Sequence, residues 1–323
     1  MKRLALLALV VNSLVGCGDG GRPPVTLRTG IYQAQDVLPH FVIQEQGFDK
    51  KNGLRFVERS VPGGAAAIAA IVDGSLDAGP TAASVPVLSA AARGWIPDKV
   101  VVVAANCFAD RDHPGVGLLV GASIRDWKDL QGRKIAINAR DSISAAAVVL
   151  RLSQEDVKDY TFVEIPFANM GLAMAGGNVA AAGMNEPYLT QSLLRRDGRL
   201  LGWVVGGPPF EQTEFSVIIF STAFYRTNPQ GVKAYLRAHL AAVRWINDNP
   251  DKARASLARR LNLSREVAER INLLRWPRDA RNAPELLEQM QQALVKDQIL
   301  RTPFPIRRLY DETLLDEVLK ERW

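Results

Sequence analysis

Cysteine and histidine are scarce in this chain of 323 residues, with two Cys (Cys17 and Cys107) and three His (His40, His113 and His239). That leaves no material for a disulfide-stapled scaffold or a Cys/His zinc module. Long apolar stretches are also missing. Leu4 to Val11, a run of 8 residues, falls far short of the ~20 needed to span a bilayer, and no later segment is uniformly apolar. Gly-x-Ser-x-Gly, His-Glu-x-x-His and Gly-x-x-x-x-Gly-Lys patterns are absent, so the common nucleophile, metalloprotease and phosphate-loop chemistries have no sequence support. The formal charge is +6, falling to +4 once Lys2 and Arg3 are set aside, and it forms no basic stripe of the kind that binds nucleic acid. No repeat or low-complexity tract is present.

What is there begins with a leader. Lys2 and Arg3 supply a positive start, Leu4 to Val11 an apolar segment, and Leu14-Val15-Gly16-Cys17 resembles a bacterial lipobox. The expected mature chain starts at a lipidated Cys17, with residues 1–16 as signal peptide and 17–25 as a Gly-rich linker closed by Pro23-Pro24. Two or more acyl chains would hold it at a membrane where one binds only marginally. With Cys17 so used, Cys107 has no disulfide partner, and its setting Ala104-Ala105-Asn106-Cys107-Phe108 reads as a small buried hydrophobe. An apolar fraction of 47% over about 300 remaining residues describes a globular α/β protein of two packed lobes.

Strand and helix patterns alternate. Strands are expected at Val25 to Gly30, Leu54 to Arg59, Leu76 to Gly79 and Val100 to Ala105, the last an apolar run typical of a buried parallel strand. Between them fall helices near Pro39 to Gln46, from Gly64 to a stop at Gly74, and from Ser84 to Arg93. After Asp110-Arg111-Asp112-His113-Pro114-Gly115 a second unit opens, with strands at Gly117 to Val120, Lys134 to Asn138, Thr161 to Ile165 and Val179 to Ala182, and helices near 144 to 152, 168 to 175 and 187 to 195. The chain returns through Phe215 to Phe220 and becomes helical, with starts at Asn228-Pro229, Asn249-Pro250, Ser264 and Ala283-Pro284. This order implies parallel-rich sheets flanked by helices. Residues 26–115 and 216–323 make the first lobe, 116–215 the second.

Three stretches together resemble the substrate-binding lipoproteins of ABC importers for nitrate, sulfonate, taurine and thiamine-pyrimidine uptake. They are Gly30-Ile31-Tyr32 through Asp36-Val37-Leu38-Pro39 to Asn52-Gly53-Leu54; Gly63-Gly64-Ala65-Ala66 through Asp73-Gly74-Ser75-Leu76-Asp77-Ala78-Gly79; and Asp129-Leu130-Gln131-Gly132-Arg133-Lys134 followed by Asn185-Glu186-Pro187-Tyr188. The resemblance implies a two-lobed periplasmic-binding-protein type II fold with a helical C-terminal segment, a permease partner and no cofactor. Two departures stand near the expected ligand: Ala180 where the family commonly has Asp, and Asn185 where it often has an aromatic.

In such folds ligands sit outside the carboxyl ends of the strands, against helix N-termini. Gly63 and Gly64 would let backbone N–H groups approach an anion, or they serve only a turn. Ser142 and Ser144 offer hydroxyls from the opposite lobe, or plain N-caps. Arg140 offers a guanidinium for a carboxylate or sulfonate, or is a solvated surface residue. Gln35 and Asp36 lie in the first strand-to-helix loop. Asp36 and Glu186 suit an amine or ring N–H, unless Glu186 only braces the turn before Pro187. Tyr32, Tyr188 and Phe210 offer rings for stacking or packing. Thr81, Ala82, Ser84 and Asn106 complete the expected ligand set, with Ser84 an alternative helix cap. The Asp110 to His113 loop is a poor metal site, since Arg111 would repel a cation. No catalytic residue is expected. The function this supports is extracytoplasmic, membrane-anchored capture of a small anionic or zwitterionic solute between two lobes for an ABC importer. A thiamine-precursor pyrimidine as ligand, a ligand-sensing role, and a pyrimidine-synthase-like enzyme are the alternatives, and the cysteine-rich motif of that enzyme is absent.

Overall fold

A computed structural model describes residues 23–321; the leader, the lipobox and Cys17 lie outside the described residues. In β1 (Val25–Ile31), Leu27, Thr29 and Ile31 face inward while Arg28 faces solvent, as a half-covered strand requires. It leads into α1 (Leu38–Glu45), α2 (Phe48–Lys51), β2 (Leu54–Ser60), α3 (Gly64–Val72), β3 (Ala78–Ala83), α4 (Ser84–Ala92) and β4 (Val100–Ala109). Residues 110–115 then cross to a second sheet. It is built from β5 (Val116–Val120), β6 (Arg133–Ile137), α5 (Ile143–Gln154), β7 (Tyr160–Glu164), α6 (Phe167–Ala175), β8 (Ala181–Asn185), α7 (Tyr188–Arg195) and β9 (Arg199–Val205). Residues 206–212 return the chain to the first sheet as β10 (Thr213–Ser221), followed by α8 (Thr222–Thr227), α9 (Pro229–Asp248), α10 (Pro250–Leu261), α11 (Arg265–Arg270), α12 (Pro284–Lys296) and α13 (Thr313–Leu319).

The sheet orders are β2-β1-β3-β10-β4 and β7-β6-β8-β5-β9. Each is parallel at one end and contains one strand running the other way: β10 is antiparallel to β3 and β4, and β5 to β8 and β9. Helix α9 buries Val232, Tyr235, Leu236, His239, Leu240, Val243 and Ile246 along one stripe against the first lobe. Met170, Met174, Met184 and Leu189 form a smaller cluster under α6 and α7 in the second.

Several local expectations change. Strand β4 is buried along its whole length, but its sheet partner is antiparallel β10. It is apolar because both faces are covered and its outer edge is closed by the C-terminal segment, through Ala105 N–H to Ala280 O and Asp311 N–H to Val102 O. Strand β3 begins at Ala78 rather than Leu76, since the Asp77 carboxylate is engaged by Arg28. Strand β9 was not anticipated: it is half-covered and interrupted by Gly202, so neither alternation nor an unbroken apolar run marks it. At the start of α9, Asn228 makes no side-chain cap; its Nδ2 turns to Thr227 Oγ1. Ser264 does cap α11, accepting from Val267 N–H.

The two connections between lobes touch at Gly206. Its φ is +85°, and a Cβ there would stand 2.5 Å from both Asp110 O and Pro114 Cα. Only glycine fits such a left-handed position against another backbone. Gly206→Ala should therefore cost about 3 kcal/mol, combining the backbone penalty with overpacking. The shift of the urea midpoint measures it, and an unchanged midpoint would show that the crossover relaxes freely.

Candidate functional site

The carboxyl ends of parallel strands from both lobes open on one cleft, and a cavity of about 430 Å³ lies between them. The first lobe contributes Tyr32, Gln33 and Asp36 after β1, the Val61 to Ala66 segment that leads into and opens α3, and Ala83, Pro86 and Phe215. The second contributes Val116, then Asn138, Ala139, Asp141, Ser142, Ile143 and Ser144 around the start of α5, Pro166 to Ala168 at the start of α6, Asn185 at the end of β8 and Tyr188 at the start of α7. Most of this wall is carbon. Its charged members are Asp36 and Asp141; among the described residues no Lys, Arg or His lines it.

Three helix N-termini end on the cavity, each carrying about half a positive elementary charge and unpaired first-turn N–H groups. Helix α3 follows Gly63, which offers no side-chain cap. A Cβ on Gly64 would lie 3.3 Å from Ala83 N, so glycine lets this helix end approach the neighbouring turn closely. Helix α5 is capped by Ser142, whose Oγ accepts from Ala145 N–H at 3.2 Å and is linked at 3.1 Å to Ser144 Oγ, which donates to Asn138 Oδ1. Helix α6 starts after Pro166 without a cap.

Asp36 is 2% exposed. Its Oδ2 accepts from Tyr32 OH at 2.6 Å and from Thr81 Oγ1 at 2.5 Å, while Oδ1 has no partner. Burial pushes its carboxyl above the usual carboxylate range, partly offset by the two hydroxyls. Asn106 holds the Asp36 backbone, donating through Nδ2 to Asp36 O and to Ser216 Oγ. Tyr188 spans the cleft: its OH donates to Gln33 O at 3.0 Å, and its ring stacks on Phe167 with centroids 5.7 Å apart.

Of the residues expected at a ligand, Tyr32, Asp36, Gly63, Gly64, Ser142, Ser144 and Tyr188 are brought together around this cavity. The others are not part of its wall. Thr81 and Asn106 stand behind Asp36, and Ala82 is buried in the first-lobe core. Gln35 accepts from Leu274 N–H through Oε1, so it ties down the C-terminal segment. Ser84 is the first residue of α4 rather than its cap, and its Oγ donates to the Glu214 carbonyl. Glu186 is fully buried and accepts from Thr190 N–H, Thr190 Oγ1, Asn272 N–H and Asn272 Nδ2, which is the bracing role. Arg140 pairs with Glu164 at 3.2 Å on the surface, its side chain 69% exposed, because the turn into α5 carries it outward. Phe210 packs in the core, and of the two departures from the family pattern, Asn185 lines the cavity while Ala180 does not. Asp141, Phe167 and Phe215 also line the cavity and are not among the expected residues; Asp141 sits in a strand-to-helix turn and Phe167 opens the helix after one, the signal that marks both.

Cys107 is buried, its Sγ 3.0 Å from Ser216 Oγ, and burial pushes the thiol far above its ordinary pKa. It is kept protonated and unreactive. The Asp110 carboxylate closes its own turn, accepting from Asp112 N–H and His113 N–H, and pairs with Arg275. No cluster of three or more His, Cys, Asp or Glu suited to a metal ion occurs among the described residues. No described helix is long and apolar enough to cross a membrane.

Among curated proteins none is significantly similar to this chain. Solved structures share its fold. The alkanesulfonate-binding protein SsuA of Xanthomonas axonopodis pv. citri, bound to MOPS, superposes with a TM-score of 0.72 at 19% identity, covering 90% of this chain and 99% of that one. The periplasmic nitrate-binding protein NrtA of Synechocystis PCC 6803 gives 0.75 at 14% identity, with 92% and 89% covered. A DszB mutant in complex with biphenyl-2-sulfinic acid gives 0.62 at 19% identity, with 91% and 98% covered. At these identities the likeness is one of fold, the two-lobed fold of periplasmic binding proteins. A family model matches residues 20–262, three quarters of the sequence, and by that match the chain belongs to the NMT1-like family.

Proposed function

We propose that the protein captures a small solute bearing an anionic group and delivers it to the permease of an ABC importer, held at the membrane through a lipid on Cys17. The observation that carries this reading is the convergence of the α3, α5 and α6 N-termini, from both lobes, on one 430 Å³ cavity. Backbone N–H groups there stabilise an oxyanion without a cationic side chain. Tyr32, Phe167, Tyr188 and Phe215 offer rings to an apolar body. The sulfonate- and nitrate-binding proteins of the same fold support this class of solute. Capture needs closure and release rather than turnover, and the buried, protonated Cys107 offers no activated nucleophile.

A thermal-shift panel on the soluble chain from Gly18 onward tests this, with sulfonates, nitrate, bicarbonate, aromatic carboxylates and pyrimidines. Saturation at 100 times Kd should add about 2.7 kcal/mol, a rise of several degrees. A selective rise with an anionic solute supports capture. A flat panel on folded protein overturns it, and a rise with neutral pyrimidines alone replaces the anion with a heterocycle.

A further inference from the structure

The helix ends account for an anion and leave Asp36 unexplained. Asp36 Oδ1 is a buried acceptor without a partner, on a side chain whose other oxygen is already fixed by Tyr32 and Thr81. Across the cleft Asn185, 8% exposed, also has a buried Oδ1 with no partner. Both residues line the cavity, one from each lobe, and among the described residues no cationic side chain lines it to serve them. Leaving a desolvated acceptor unpaired is costly, and more so when it is charged. A structure keeps such a group where a ligand completes it, or where function tolerates the strain.

We propose that the solute is a zwitterion, its anionic end at the helix N-termini and a cationic N–H group seated between Asp36 and Asn185, with Asp36 as the specificity-determining residue. The inference rests on the capture reading and narrows it. An ammonium brings both the donors these oxygens lack and the charge that offsets a buried carboxylate. It also balances the wall: the N-terminal ends of α3, α5 and α6 meet the anion, while Asp36 meets the cation. Tyr32 and Thr81 hold the carboxylate in one orientation, so the site is built before the ligand arrives.

Matched probes with and without the amine test this: taurine against ethanesulfonate, and para-(aminomethyl)benzenesulfonate against para-toluenesulfonate, titrated calorimetrically into the soluble chain and into Asp36→Asn. In at least one pair the amine-bearing member should bind at least tenfold tighter, and in Asp36→Asn that ratio should fall to near one. Equal binding within both pairs overturns the zwitterion while capture of an anion stands. A preference that survives Asp36→Asn overturns the role of Asp36. Should Asp36→Asn not fold, the parent ratios alone decide the ligand class. If none of the four sulfonates binds, the zwitterion falls here, and the wider panel decides separately whether capture falls too.

Discussion

Glu186→Ala should lower stability by about 4 kcal/mol. The carboxylate accepts four hydrogen bonds, two from Thr190 and two from Asn272, in a site with no water access. Removing it strands donors on both residues, and each orphan costs about 1–3 kcal/mol. Glu186 lies in the turn from β8 to α7, in the second lobe, whereas Asn272 belongs to the C-terminal segment that closes the first-lobe sheet edge. The contact thus ties the lobes together, as the two chain crossings and the Tyr188–Gln33 hydrogen bond do. Urea denaturation reads the loss. Glu186→Gln, which keeps the shape and one acceptor, should recover part of it. If alanine is tolerated within 1 kcal/mol, the network is not bracing the turn.

The second large effect is set by pH. Glu214 in β10 is buried with its carboxyl pushed up to about 7, although Tyr310 OH and Ala283 N–H donate to it. Burial is the main cause, and Glu312 and Glu285 nearby act in the same sense. A folded-state value above the usual 4.5 means that the stability held by the protonated group is complete below pH 4.5 and is lost as pH rises through 7. Glu214→Gln should match the parent near pH 4 and exceed it by about 3 kcal/mol at pH 8. His239 works in the opposite sense: full burial lowers its value to about 3, so its contribution is present above pH 6.5 and declines as pH falls below that. Folding free energies measured from pH 4 to 8.5 on parent and Glu214→Gln isolate the glutamate. A constant difference across that range would mean that Glu214 does not titrate on folding.

Much of the fold is legible where period and punctuation agree. Gly63-Gly64 and Gly74 bracket α3, and Pro229 opens an α9 whose apolar residues recur at helical spacing. The direction of β4 is not legible, because an apolar run reports that both faces are covered and says nothing of its neighbour's polarity. Arg199–Val205 fails for the converse reason: its exposure follows from its place at a sheet edge, which only the tertiary order reveals. At the site, turns at strand ends identify Tyr32, Asp36, Gly63, Gly64, Ser142, Ser144 and Tyr188 as neighbours of the cleft, since topology fixes where such turns go. Which way a side chain leaves its turn is decided locally. Arg140 goes out to Glu164 and Glu186 goes in to Thr190, and residue type alone carries no sign of either.

Strand β10 sits between β3 and β4, yet it is made 130 residues after the segment it meets, the separation of Ser84 from Glu214. The second lobe is continuous in sequence, so its sheet is complete as soon as β9 exists. The first waits. Until Thr213–Ser221 is available, β3 and β4 are two open edges, each a template for pairing with another chain. Closing them brings together distant parts of the polypeptide, a slow step by contact order. The lobe that begins the protein is therefore the last to be finished, and its interval as an unsealed sheet is when the chain is most exposed to aggregation.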